Sequence, residues 1–347
     1  MFPLSYINSS PQQLLHSYTR ELHNNIGNLT HTKNHPFINS TASTTLSLDP
    51  IYRQYLISGC PNGNLKFYDL NSPKKPLNLP IHKFGITHAE FYHDSGMILT
   101  SSHDHNLTIT DASSLEQALS FDLESRVTNF SMTKSTSANP IISVTTESNA
   151  VTLLDLRIPK PIHILSLPKS TTNIVPQCTK WSPCDENLLI AAGNGVSGWD
   201  IRSSKGTLFN IDVNEKLINR QLQRPINGLI WIDPTNFLTH KNNDLNLWSL
   251  GDNYPTIPPK MSFFGNAKNL QPSVGMYLNE QVDLIWIPTD NGIQIFETNG
   301  DLLANLKGSK ISSVVQIERC KYAAGSPDGI QLWGYDSTSN TLEIDNE

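Results

Sequence analysis

The sequence predicts an all-β chain closed into a seven-bladed propeller, and three observations lead there. A short motif recurs seven times at nearly regular spacing. Each well-preserved copy ends a strand–turn–strand–turn–strand pattern. The chain has 347 residues, 37% of them apolar, enough to bury a full core as one closed all-β unit.

The motif is a small or polar turn, alternating apolar residues, an aromatic or apolar position and often an aspartate. Its copies are NLKFYDL, NLTITDA, AVTLLDL, GVSGWDI, DLNLWSL, GIQIFET and GIQLWGY. The residues at the aspartate position are Asp69, Asp111, Asp155, Asp200, Ser249, Glu297 and Gly334, separated by 42, 44, 45, 49, 48 and 37 residues. That is the ~40–45-residue period of a WD-repeat blade, stretched twice by longer loops. A unit of three or four strands cannot bury both of its faces alone. Radial stacking of seven does so, and leaves only short, protected edges.

The second unit shows the interior of a blade. Ile86, Ala89 and Phe91 begin a strand, Asp94-Ser95-Gly96 turn it, and Met97 to Thr100 form the next strand. His103 to Asn106 turn again, and Leu107 to Asp111 complete the third. The fourth unit, QCTKWSPCDENLLIAAGNGVSGWDI, repeats that order. The Trp-Asp pair is intact only at Trp199-Asp200; Trp248 and Trp333 keep the aromatic residue and lose the acid. His82 and Asp104 are placed for the buried hydrogen-bond network of a standard blade, with Thr110 where the third partner belongs. Such degenerate blades are expected to rely on apolar packing.

Outside the repeats, residues 1–40 are expected to form a short N-terminal helical arm. Within 11–29, Leu14, Leu15, Tyr18 and Leu22 fall at helical spacing behind Ser10-Pro11, a suitable N-cap and first-turn pair. The helix either lies on its own propeller or docks into a partner's groove. The propeller is expected over 41–335, with a polar insertion at 214–225 and a long proline-bearing loop at 251–272. An acidic tail follows at 336–347 and is expected to be disordered.

Composition narrows the function. Lys plus Arg total 25 and Asp plus Glu 31, for a net charge of −6, and no basic run exceeds Lys74-Lys75. Without a basic stripe to release counterions, direct nucleic-acid binding is not expected. No signal peptide or membrane span is read, so the chain is expected to be soluble and intracellular. Cys60, Cys178, Cys184 and Cys320 have neither zinc nor redox spacing and are expected to be buried structural thiols. His82, His88, His93, His103 and His105 lie in strands and turns that do not converge on a metal. No nucleophile, phosphate or metalloprotease motif occurs. The innermost strands repeat no carboxylate that could serve an enzyme, so no catalytic residue, metal or cofactor is assigned.

The most specific local feature is a matched pair. Trp199-Asp200-Ile201-Arg202 has its counterpart one blade earlier in Leu154-Asp155-Leu156-Arg157. Both arginines follow a third strand and should project from one face. There they could give forked hydrogen bonds to a partner, or pair with acids of their own propeller.

From about Thr41 to Trp333 the chain resembles the Cockayne syndrome group A family of DNA excision repair proteins and its fungal members. TLSLDPIYRQYLISGCPNGNLKFYDLNS is similar to the family's first blade, and FYHDSGMILTSSHDHNLTITDASSLEQALSFDLE to its second. KWSPCDENLLIAAGNGVSGWDIRSSKGTLFNID is similar to the fourth, with a polar insertion following where the family has one. The resemblance implies a nuclear, non-catalytic substrate receptor of a cullin-4-type ubiquitin ligase in transcription-coupled nucleotide excision repair. It implies docking onto the ligase's damaged-DNA-binding propeller adaptor through Trp199, Asp200 and Arg202, more weakly through Asp155 and Arg157, and through a helix bearing Leu14, Leu15, Tyr18 and Leu22. It further implies contact with the transcription-coupled repair ATPase and, indirectly, the RNA polymerase II machinery. The chain departs from the family in its eroded blades 5 to 7 and short tail. No nuclear-import run extends beyond Pro73-Lys74-Lys75. The other reading of the same architecture is a WD-repeat scaffold in a chromatin or RNA-processing complex, without a ligase.

Overall fold

In the computed structural model every copy of the motif is the third strand of an antiparallel sheet. These strands are Asn64–Asp69, Asn106–Asp111, Ala150–Asp155, Gly195–Asp200, Asp244–Gly251, Gly292–Glu297 and Gly329–Gly334. The structure describes residues 19–20, 22–23, 25–32 and 42–334, apart from 73, 135–139, 149, 159, 168–174, 204–205, 213–224, 252–253, 256–258, 264–266 and 319–320. Blades 1 to 7 span 45–80, 86–122, 127–166, 178–212, 228–263, 277–307 and 313–334.

Side chains alternate across a strand, so each blade presents two apolar faces. Seven apolar clusters result, one at each junction between neighbouring blades. The strand Leu188–Ala192 shows the sharing: Leu189 and Ala191 face blade 3, while Leu188, Ile190 and Ala192 face blade 5. In six of the seven blades the motif's aromatic or apolar position plugs the junction with the preceding blade. Tyr68, Leu154, Trp199, Trp248, Phe296 and Trp333 all do so.

Two stretches differ from the sequence reading. Thr30–Thr32, grouped there with the N-terminal arm, is a strand that pairs with Gly329–Gly334 and supplies the outer edge of blade 7. The ring is therefore closed by joining the two ends of the chain. Just before it, Leu22, Ile26 and Leu29 are buried in the junction of blades 6 and 7, packed among Leu306, Ile311 and Trp333. The described part of the N-terminal segment does not project as an arm, because its apolar residues complete the core. Leu14, Leu15 and Tyr18 lie outside the described residues, as does the tail at 336–347. The 251–272 stretch is also not all loop: Met261–Phe263 pairs with the third strand of blade 5, Leu245 opposite Phe263.

Replacing Leu22 by alanine is expected to cost ~2–5 kcal/mol, as for a fully buried leucine. Urea denaturation followed by tryptophan fluorescence checks this; an unchanged midpoint would place Leu22 outside the core.

Candidate protein-interaction site

The up-and-down order of each blade builds the two faces from different turns. Turns between first and second strands, and between third and fourth, lie on one face; the remaining turns lie on the other. The aspartate ending a third strand caps the turn that follows. Asp69 accepts the backbone N–H of Asn71 at 3.0 Å, and Asp111 those of Ser113 and Ser114 at 2.9 and 2.8 Å. Asp155 and Asp200 do the same for Arg157 and Arg202, at 2.9 and 3.0 Å. This is an Asx turn, which any residue two places on would satisfy.

Blades 3 and 4 place arginine there, and its side chain folds back onto the same carboxylate. Arg157 donates from Nε at 2.9 Å and from Nη2 at 2.6 Å to Asp155. Arg202 donates from Nε at 2.9 Å and Nη2 at 2.8 Å to Asp200, and its Nη2 lies 3.9 Å from Asp185. The two arginine side chains stay 60% and 63% exposed. Their Nη1 groups have no hydrogen-bond acceptor among the described residues. The arginine hydrogen bonds hold both aspartate carboxyls below the ordinary carboxylate range, against a smaller opposing effect of burial. Each pair is thus a fixed cation that still offers donors outward. Trp199 is only 2% exposed and anchors the strand instead of meeting a partner. Leu22, buried in the core, is likewise unavailable to one.

Sequence reasoning missed the apolar flank of Arg157. Ile158, Ile162 and Ile164 are exposed, the last two on Pro161–Ser166, the unpaired outer edge of blade 3. The alternation of Ile162 and Ile164 on a strand with no further neighbour was the available signal.

The histidine network is corrected in one partner. His82 is buried, with Nδ1 3.0 Å from Asp104 and Nε2 in hydrogen-bond contact with the Thr100 hydroxyl at 2.9 Å. Thr110 Oγ1 has no hydrogen-bond partner among the described residues. A threonine on the third strand is too short to reach the imidazole as an indole would, and the second-strand hydroxyl bonds to it directly. In blade 5 the aromatic residue remains, and Trp248 Nε1–H donates to Thr239 at 2.9 Å. Cys60 and Cys178 are buried thiols, and burial pushes Cys178 up to about 12. Cys184, expected to be buried, is exposed because it sits in a turn of the arginine face. No group of three potential metal ligands occurs among the described residues. No helix among them is long and apolar enough to cross a membrane.

The opposite face carries a cavity of about 640 Å³ at the mouth of the central channel. Pro61 and Phe84 form one wall, Arg126 and Glu147 another, and Gln271 and Pro272 a third. Its walls come from turns far apart in sequence, so no local pattern announces it.

Seven blades, each with the repeat on its third strand, define a propeller of the WD-repeat type. No protein-family model matches the chain. Over 178 residues it is 25% identical to the WD repeat-containing protein ATCSA-1 of Arabidopsis thaliana, a stretch covering 46% of this chain and 39% of that protein.

The carboxylate–guanidinium pairs should persist from neutral pH down through the ordinary aspartate range near ~3.9, and fail only below it. Lowered carboxyl pKa values put this contribution above the unfolded value and remove it as pH falls through the folded one. The Nε–H resonances of Arg157 and Arg202 report it by NMR. Asp200→Asn should release only Arg202; transitions at or above the ordinary value would contradict the pairing.

Proposed function

We propose that this chain is the non-catalytic substrate receptor of a cullin-4-type ubiquitin ligase acting in transcription-coupled nucleotide excision repair. The observation that carries the reading is the matched pair of exposed arginines, each braced by its own aspartate at the same position of adjacent blades. The sequence resemblance to the Cockayne syndrome group A family supports it, and the likeness to the Arabidopsis protein is in keeping with it.

In this reading the adaptor, a damaged-DNA-binding propeller protein, lies against the arginine face. Its carboxylates or carbonyls accept from the outward Nη1 groups, while Asp155 and Asp200 hold each fork in place. Bracing matters because a long side chain ordered beforehand loses less freedom on binding. Leu14, Leu15 and Tyr18 would extend the contact, and Ile158, Ile162 and Ile164 would supply apolar area beside the charges. The transcription-coupled repair ATPase, and through it the RNA polymerase II machinery, would meet other surfaces of the ring in the nucleus. Ubiquitin transfer belongs to the ligase's catalytic subunits; this chain supplies affinity and geometry. A WD-repeat scaffold of a chromatin or RNA-processing complex would use the same face with another partner.

Arg157→Ala with Arg202→Ala is expected to weaken adaptor binding at least ~30-fold, the range of interface hot spots. Both arginine side chains are exposed and the backbone caps on Asp155 and Asp200 remain, so the melting temperature should fall by only a few degrees. Calorimetric titration with purified adaptor reads the affinity, and wild-type affinity in the double variant would sink the reading. Deleting the N-terminal segment is a poor substitute, because it removes the outer strand of blade 7.

A further inference from the structure

The cavity on the face opposite the two arginines has no part in the adaptor contact. It is open to solvent, lined partly by apolar and partly by polar groups, and continues into a channel space of about 280 Å³ with which it shares Thr44 and Ser273. Phe84 stands at its rim, 62% exposed, beside Pro61. A phenylalanine that far out of the core, on a wall shared with Pro61 and Ile86, offers an apolar surface with no cover of its own.

The polar groups are specific in kind. Arg126 lies across the cavity mouth, 60% exposed, and its nearest carboxylate is Glu147 at 4.0 Å. That separation is beyond a hydrogen bond, so the guanidinium keeps its forked donors for an incoming acceptor. His103 lines the cavity with Nδ1 enclosed and without a hydrogen-bond partner. Burial lowers its pKa, and Arg126 adds to that while Glu147 opposes it. With Nδ1 shut off from the cavity, Nε2 is the ring nitrogen left to meet an uncharged hydrogen-bonding group such as a backbone amide. The side-chain amides of Gln177 and Gln271 are of the same character.

The walls are held before anything binds. Ser102 Oγ donates to the Phe84 carbonyl at 2.9 Å, fixing the backbone that carries the ring. A Cβ at Gly85 would come within 2.9 Å of the Pro61 carbonyl oxygen, so only glycine lets the two turns approach so closely. On the far side, Asn227 Nδ2 donates to the Gln271 carbonyl at 2.7 Å and to that of Asn269 at 3.0 Å. Asn269 in turn donates to the carbonyls of Pro288 and Ile311 at 3.0 and 2.9 Å, pinning the Gln271-Pro272 segment across blades 6 and 7. A pre-formed pocket of this size with a few directed polar groups fits an extended peptide better than a flat protein surface.

We propose that this cavity binds a short extended peptide of a partner protein in which an apolar side chain stands next to a carboxylate. The apolar side chain lies against Phe84 and Pro61, the carboxylate takes the Arg126 fork, and His103 hydrogen-bonds the peptide backbone between them. A basic peptide fits less well: Glu147 is the only carboxylate lining the upper cavity among the described residues, and Arg126 stands beside it. The occupant of this cavity is independent of the partner on the arginine face.

Phage display of random dodecapeptides against the purified full-length chain tests this, with fluorescence anisotropy of the enriched peptides as the readout. The expected peptides pair Leu, Ile or an aromatic residue with a neighbouring Asp or Glu. Exchanging that acid for lysine in the peptide should lower affinity at least ~10-fold, a test that needs no protein variant. Arg126→Ala and Phe84→Ser, both at exposed positions, should each do the same at an unchanged melting temperature, whereas Glu147→Gln should hold or raise affinity. Enrichment of basic peptides, binding indifferent to the acid or to Arg126 and Phe84, or no enrichment at all would overturn the proposal.

Discussion

Every blade of this protein must have both faces covered, and that constraint governs the rest of the structure. A single sheet of four strands has apolar side chains on both sides, so it is stable only between two others. The seven clusters at the seven junctions are the physical form of that requirement. A ring satisfies it only if the last junction closes, and closure needs the start of the chain. Thr30–Thr32 completes blade 7, while Leu22, Ile26 and Leu29 fill the junction behind it.

The same constraint explains why a degenerate repeat still folds. To the fold the aspartate contributes a turn cap, so its loss at Ser249 and Gly334 costs one cap in each blade. The residue before it plugs a junction, and six of the seven blades keep that position large and apolar. Blade 2 is the exception with Thr110, and it is also the blade that retains the buried His82–Asp104 pair. Blade 2 thus combines a hydrogen-bonded network with a small residue at the position where the other blades have a large apolar one.

Legibility in the sequence follows from these physics. The seven third strands could be read because their alternation and spacing are local properties. The closing strand could not, because Thr30-His31-Thr32 has no apolar period and its partner lies at the other end of the chain. The strand Met261–Phe263 was hidden among prolines. His82 and Asp104 were legible, but Thr100 was not, since which hydroxyl reaches the imidazole depends on side-chain length in three dimensions. Arg157 and Arg202 were found as a repeated motif; that each is braced by the aspartate two residues earlier needed the geometry of the turn. The 640 Å³ cavity was invisible for the reason the closing strand was: its walls meet only in the folded ring.

Two surfaces of different chemistry thus sit on opposite faces of one rigid ring, fixed cations on one and a pre-formed cavity on the other. That is an arrangement suited to holding two partners at once. Its central claim, a receptor joined to a ubiquitin ligase in repair, is tested most directly by affinity purification of the tagged chain from its own cells, with and without ultraviolet damage, followed by mass spectrometry. The account predicts recovery of a cullin, its propeller adaptor and a repair ATPase. Recovery of an unrelated stable complex, with no cullin under either condition, would contradict the repair assignment and leave the propeller as a scaffold of another assembly.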